Sequence, residues 1–241
     1  MNTVLPPLLD QVFQTGHTFD KEGKEHELHS NVSKEEALSL ARAVQRIQPE
    51  ATVEVGFAQG VSCLAILGAL AANNRGTHHV IDPFQDRFND IGLAMVERAN
   101  LSSRLRFYRQ FPEEVIPTLP AVQFAFVDAS HLFDLTLMEF ILIDKKLEVG
   151  GLIGFHDLWM PSLQKLTRYI LANRNYELVD DAGEPIRRRP SWRSFFNCLP
   201  KSQTVFATEF PEPWQCFNAG NMIFLKKRGV DQRDWREHNR F

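Results

Sequence analysis

Short apolar segments alternate with helix-patterned segments along most of this chain, and that alternation constrains the fold more than any other feature. Thr52–Val55, His78–Ile81, Leu105–Tyr108, Gln123–Val127 and Leu152–Phe155 read as strands. Between them lie helical patterns at about Val61–Ala72, near 87–100, in a poorer stretch opened by Pro112, and at Asp134–Leu147, with Gly150-Gly151 as the stop of the last. Pro161–Asn173 reads as a further helix, and Tyr176–Val179 and Met222–Leu225 as two more strands. Strands separated by helices are joined by crossovers, which gives βαβ units and a largely parallel sheet covered on both faces. The segments at 52–55, 123–127 and 152–155 are nearly all apolar, as central strands buried on both sides must be. The expected fold is α/β and Rossmann-like, with helices on both faces of the sheet.

Ser33-Lys34-Glu35-Glu36 is a capping box, in which a Ser hydroxyl and a Glu three residues on satisfy free backbone donors at a helix start. Ala37, Leu40, Ala41, Val44 and Ile47 continue at helical spacing until Pro49. Residues 1–32, with charged clusters such as Lys24-Glu25-His26-Glu27, read as a loose N-terminal lead-in to a main domain at 33–225. The rhythm breaks between Asp180 and Asn221, which marks 183–220 as an insertion holding Arg187-Arg188-Arg189, Trp192, Phe195, Phe196, Trp214 and Phe217. A loop of that length inside a compact domain is usually functional. Its aromatics suit cover for an acceptor site; a satellite core or a homo-oligomer interface is the plainer use. Residues 226–241 read as a charged, solvated tail.

Composition narrows the partners. With 27 basic against 30 acidic side chains and a net charge of −3, the chain lacks the basic excess that phosphate-backbone binding needs, so nucleic acid is not expected. The longest apolar run, Cys63–Ala72, is too short to cross about 30 Å of hydrocarbon, and no membrane partner is expected. The N-terminus has no basic n-region and does not read as a signal peptide. Cys63, Cys198 and Cys216 show no CxxC spacing, so neither a disulfide framework nor a zinc knuckle is expected, and the setting reads as reducing and cytoplasmic.

Ligands of open α/β sheets bind beyond the carboxyl ends of the strands, near the switch in strand order. The first strand ends Glu54-Val55-Gly56-Phe57-Ala58-Gln59-Gly60-Val61-Ser62, two glycines that let the backbone turn tightly ahead of a helix N-terminus. It lacks the GxGxxG of dinucleotide sites. Asp82 closes the second strand, where a carboxylate can accept both hydroxyls of a ribose; capping of the next turn is the plainer alternative, and Pro83 makes it less natural. Asp128-Ala129-Ser130-His131 follows the fourth strand and His156-Asp157 the fifth. Two carboxylates at equal depth on neighbouring strands repel unless a cation or a proton separates them.

Together, Glu54-x-Gly56-x-x-x-Gly60-x-Ser62, Asp82, Asp128-x-x-His131 and Gly150-Gly151…His156-Asp157 resemble the class I S-adenosylmethionine-dependent methyltransferases. More narrowly they resemble small-molecule O-methyltransferases of the macrocin type and, more distantly, catechol O-methyltransferase. The likeness covers about residues 33–180 and returns at the last strand. It implies a seven-stranded, mostly parallel sheet with its last strand antiparallel. It implies S-adenosyl-L-methionine as cofactor, with Glu54, Gly56, Gly60 and Ser62 at the methionine end, Asp82 on the ribose, Gln110 near adenine, and Asp128 beside the reacting centre. Metal-dependent relatives imply Mg²⁺ or another divalent cation on Asp128 and Asp157. Their third ligand is typically an acid or amide, and His156 stands there instead, so another residue completes the shell or the metal is not Mg²⁺. His131 is the candidate base toward a small-molecule hydroxyl acceptor. A nicotinamide-dependent oxidoreductase and a non-catalytic binding domain on the same fold are the competing expectations.

Overall fold

A computed structural model of the chain describes residues 5–186 and 221–241. Nine strands and seven helices occur among them. The strands are β1 (His17–Phe19), β2 (Glu25–Glu27), β3 (Ala51–Val55), β4 (Thr77–Ile81), β5 (Leu105–Tyr108), β6 (Val122–Val127), β7 (Leu147–Phe155), β8 (Tyr176–Val179) and β9 (Ile223–Lys227). The helices are α1 (Pro7–Thr15), α2 (Lys34–Ile47), α3 (Val61–Ala72), α4 (Ile91–Arg98), α5 (Pro112–Val115), α6 (Phe133–Asp144) and α7 (Pro161–Asn173).

β3 to β9 form one seven-stranded sheet in the order β5-β4-β3-β6-β7-β9-β8. Its pairs are parallel except those of β9, which runs antiparallel between β7 and β8. Every crossover from β3 to β5 moves one way along the sheet, and the chain then returns to the other side of β3 to lay down β6 and β7. The switch point therefore lies between the carboxyl ends of β3 and β6.

Side-chain alternation divides the core. Phe124 and Phe126 of β6 pack with Leu40, Leu64 and Leu67 from α2 and α3 on one face. Ala125 and Val127 pack with Phe140, Ile143, Leu166 and Ile170 from α6 and α7 on the other. No helix among the described residues is long and apolar enough to cross a membrane.

Three local features differ from expectation. The lead-in is not loose: α1 opens with Pro7 and ends on Gly16 in the left-handed region, and Leu9 and Val12 are fully buried against the first face. Leu9→Ala is expected to cost about 2–4 kcal/mol, read from denaturant unfolding; a cost within ordinary surface scatter would detach the lead-in from the core. Gly150-Gly151 does not stop a helix. α6 ends earlier, at Asp144, whose carboxylate is held by Arg174, Tyr176 and Lys227, and the glycines lie inside β7 beside a register shift against β6. The last strand runs through Lys227, and the tail returns to α7, where Asn239 N–H donates to Asn173 Oδ1 at 2.7 Å. The aromatics and arginines expected at 187–220 lie outside the described residues.

Candidate active site

A cavity of about 770 Å³ opens at the carboxyl ends of β3, β4 and β6, within the range of cofactor-sized pockets. Of the residues expected at the site, Gly56, Ser62, Asp82, Asp128, His131, His156 and Asp157 lie on its wall. Glu54, Gly60 and Gln110 do not.

Strand-end hydrogen bonds build the floor. Gly56 N–H donates to Ile81 O at 3.0 Å and Asp128 N–H to Val55 O at 2.9 Å, which locks β3 between its neighbours. Gly56 has φ +94° and passes so close to Asp128 that a Cβ would lie 2.0 Å from the Asp128 carbonyl oxygen. Gly60, at φ +84°, starts α3 from the left-handed region.

Glu54 is fully buried beneath this floor and takes no place on the wall. It is the penultimate residue of β3, where its side chain meets His78 Nε2 at 2.7 Å and accepts the Ser62 hydroxyl. Its reach toward a cofactor is through Ser62. Gln110 is exposed, and its neighbours Phe111, Pro112 and Glu113 line the cavity instead.

Asp82 does two things. Its carboxylate accepts Phe84 N–H at 2.8 Å, so the turn is capped despite Pro83, and it accepts Phe57 N–H at 3.2 Å, which ties the β4 end to the glycine turn. It remains on the cavity wall.

Four titratable side chains meet at the other side of the cavity. His131 Nε2 lies 3.1 Å from Asp128 Oδ1 and 2.9 Å from Asp157 Oδ2. His156 Nδ1 lies 3.5 Å from an oxygen of each acid and, although buried, has no hydrogen-bond partner among the described residues. His131 and Asp157 both adopt positive φ, +57° and +55°, a strained backbone that concentrates at functional sites. Hydrogen bonds to Asp128 and Asp157 raise His131 to about 9. Burial opposes the charged form of His156, but the same two acids and Glu36 outweigh it and raise that ring well above the ordinary imidazole range. His131 and His156 hold Asp157 far below the ordinary carboxylate range. The positive partner that paired carboxylates need is thus available from imidazolium.

Two residues bracing this cluster escaped the sequence. Glu36 completes its capping box by accepting Ser33 N–H at 2.7 Å, but it is also buried, accepts Asn221 N–H at 2.8 Å, and lies 3.4 Å from His156 Nε2. Burial favours its neutral form; His156 and the two backbone donors outweigh this and hold it at about 2. Asn221, at the entry to β9, donates its amide to Asp157 Oδ1 at 2.8 Å. The capping box announced Glu36 as a helix start, and no local signal announced its second contact.

Three of the four groups could hold a cation: one ligand atom each of Asp128, His131 and Asp157 lie within 4.8 Å of one another. His131 thus takes the place in the compact set that His156 was expected to hold.

Residues 53–158 match a family model described as a methyltransferase domain. No curated protein matches the sequence. Among solved structures, the chain is similar to an O-methyltransferase from Bacillus cereus in complex with S-adenosylhomocysteine, at 17% identity over 71% of this chain and 82% of that one, TM-score 0.59. It is similar to the methyltransferase PaMTH1 of Podospora anserina, bound to the same molecule, at 13% identity over 73% and 83%, TM-score 0.60. It is also similar to TomG of Streptomyces achromogenes, an O-methyltransferase of tomaymycin synthesis in complex with S-adenosylmethionine, at 14% identity over 74% and 84%, TM-score 0.58.

Proposed function

We propose that this chain, whose residues 53–158 match a methyltransferase domain, is a class I methyltransferase that transfers a methyl group from S-adenosylmethionine to a hydroxyl oxygen of a small molecule. One observation carries the proposal: a single cavity has the glycine turn and Asp82 on one wall and the Asp128–His131–Asp157 cluster on another. A nucleoside sulfonium fits the first, and a hydroxyl that must lose its proton fits the second.

In the transfer, the acceptor oxygen forms a bond to the methyl carbon as the carbon–sulfur bond breaks, leaving S-adenosylhomocysteine. Sulfonium is a good leaving group, so the protein's main tasks are alignment and exclusion of water. The backbone at Gly56–Ala58 and the Ser62 hydroxyl receive the amino-acid end, and Asp82 receives the ribose. The acceptor proton passes to His131, held in place by Asp128 and Asp157. Asp128, His131 and Asp157 are also the residues that would hold a divalent cation, which when bound would supply Lewis-acid acidification of the acceptor hydroxyl. Two carboxylates with an imidazole suit a borderline transition metal better than Mg²⁺. The setting we infer is cytoplasmic.

Thermal melting tests the cofactor. S-adenosylhomocysteine at 100 times its dissociation constant should stabilise the protein by about 2.7 kcal/mol, a rise of roughly 5–10 °C at this chain length. No shift with this ligand, and a shift with NAD instead, would overturn the proposal.

A further inference from the structure

We propose that Glu139 reads the amino-substituted edge of the cofactor's nucleobase, its carboxyl group accepting a hydrogen bond from the exocyclic amine. The proposal rests on the S-adenosyl cofactor inferred above and concerns a side chain outside the transfer cluster.

Glu139 shares one face of α6 with Leu135 and Met138, at the i, i+3, i+4 spacing that stacks side chains together, and all three lie on the cavity wall. It is only 3% exposed, and its Oε2 has no hydrogen-bond partner among the described residues. Leaving a buried polar atom unmade costs free energy that a folded protein seldom tolerates without a use. Ser130 Oγ, also on the wall, is buried and unpartnered in the same way. Two orphaned polar atoms on one cavity mark where a ligand's polar edge belongs.

The surroundings define that ligand as flat. Pro83 and Phe84 follow β4, Phe111 and Pro112 open α5, and the two phenyl rings meet edge-on with centroids 5.8 Å apart. Phe84 and Phe111 are 41% and 47% exposed, large apolar surface left open beside the slot. Asp82, the ribose candidate, directly precedes Pro83, so a nucleoside anchored there carries its base into this slot. Its sulfonium end then faces Asp128.

Protonation suits the pairing. Burial pushes Glu139 up to about 7; the nearby charge of His131 opposes the rise and that of Glu113 adds to it. In its acid form the carboxyl group donates O–H to a ring nitrogen while its carbonyl accepts the amine, a two-point match to an amidine edge.

The test crosses side chain with ligand group. Calorimetric titration of the full chain would compare S-adenosylhomocysteine with its analogue lacking the exocyclic amine. The wild type should prefer the amine-bearing ligand by about tenfold. Glu139→Met should bind both ligands equally, and Glu139→Gln, which keeps an acceptor and a donor, should retain the preference. Met removes an unpartnered buried carboxyl group, so the variant should melt no lower than the parent. A wild type without preference, or a Glu139→Met that keeps it, overturns the proposal while S-adenosylhomocysteine binding leaves the cofactor intact. Failure of both ligands to bind the wild type overturns the cofactor and this proposal together.

Discussion

Asp157→Asn is expected to lower turnover by about 10²-fold or more and to change the affinity for S-adenosylhomocysteine by less than about threefold. Asp157 follows the carboxyl end of β7, and β6 separates that strand from β3 and β4, whose ends carry Gly56 and Asp82. Its Oδ1 accepts Asn221 Nδ2 at 2.8 Å and Trp159 Nε1 at 2.9 Å, and an Asn carbonyl can keep both. What the substitution removes is the charge facing His131 Nε2 at 2.9 Å. His131 owes its rise to about 9 to Asp128 and Asp157, so in the variant its ionisation moves back toward the ordinary range. A base must be neutral to accept a proton. Chelator-treated wild type should therefore gain rate as pH rises toward 9, and the chelator-treated variant should reach its lower plateau earlier. Chelation that abolishes wild-type turnover without unfolding, with recovery on adding Mn²⁺, would assign the two acids to a cation. Full activity in chelator would leave His131 as the base. Unchanged turnover in Asp157→Asn, or a matching loss of cofactor affinity, would remove Asp157 from the reaction.

The same groups set a pH window for stability. His131 is raised, so its stabilisation is complete below its unfolded value of about 6.5 and fades as pH climbs through about 9. Asp157 is depressed, so its stabilisation is complete above the unfolded value of about 4 and fades as pH falls. The cluster contributes most between those two unfolded values.

The sequence made the strands of the main sheet legible because short apolar runs alternate with longer helix-forming segments from Ala51 to Val179. It also made most of the cavity wall legible, because strand-end residues of a parallel sheet fall on one edge whatever the loops do. Glu54 is absent from the wall for a reason within the strand. Neighbouring residues point to opposite faces, so one position sends a carboxylate under α3 rather than to the rim. Gly150-Gly151 misled because glycine marks both helix ends and irregular strands. Glu36 and Asn221 meet through a backbone contact spanning 185 positions, which no local pattern encodes. Glu139 did leave a trace, an acid in the middle of a mainly apolar helix.

Gly56→Ala is expected to destabilise the unliganded protein by about 3 kcal/mol or more, lowering the melting temperature by roughly 6–12 °C at this chain length. The sequence marked this glycine for a tight turn ahead of a helix. The geometry makes the obstacle the protein's own backbone: a Cβ would lie 2.0 Å from Asp128 O and 2.7 Å from its carbonyl carbon, at a φ of +94° that L-residues rarely adopt. Neither contact is the end of a flexible side chain, so the β3 and β6 ends must separate, and Asp128 moves with them. Cofactor affinity and turnover should then fall together, unlike the outcome for Asp157→Asn. Gly60 supplies the contrast, since its Cβ would meet Gly92 Cα at 3.1 Å and a Phe57 ring carbon at 3.2 Å, contacts that small shifts relieve. Gly60→Ala should accordingly cost less than Gly56→Ala in the same melting experiment. A Gly56→Ala protein that melts like the parent, yet no longer binds S-adenosylhomocysteine, would show that the glycine serves ligand approach alone.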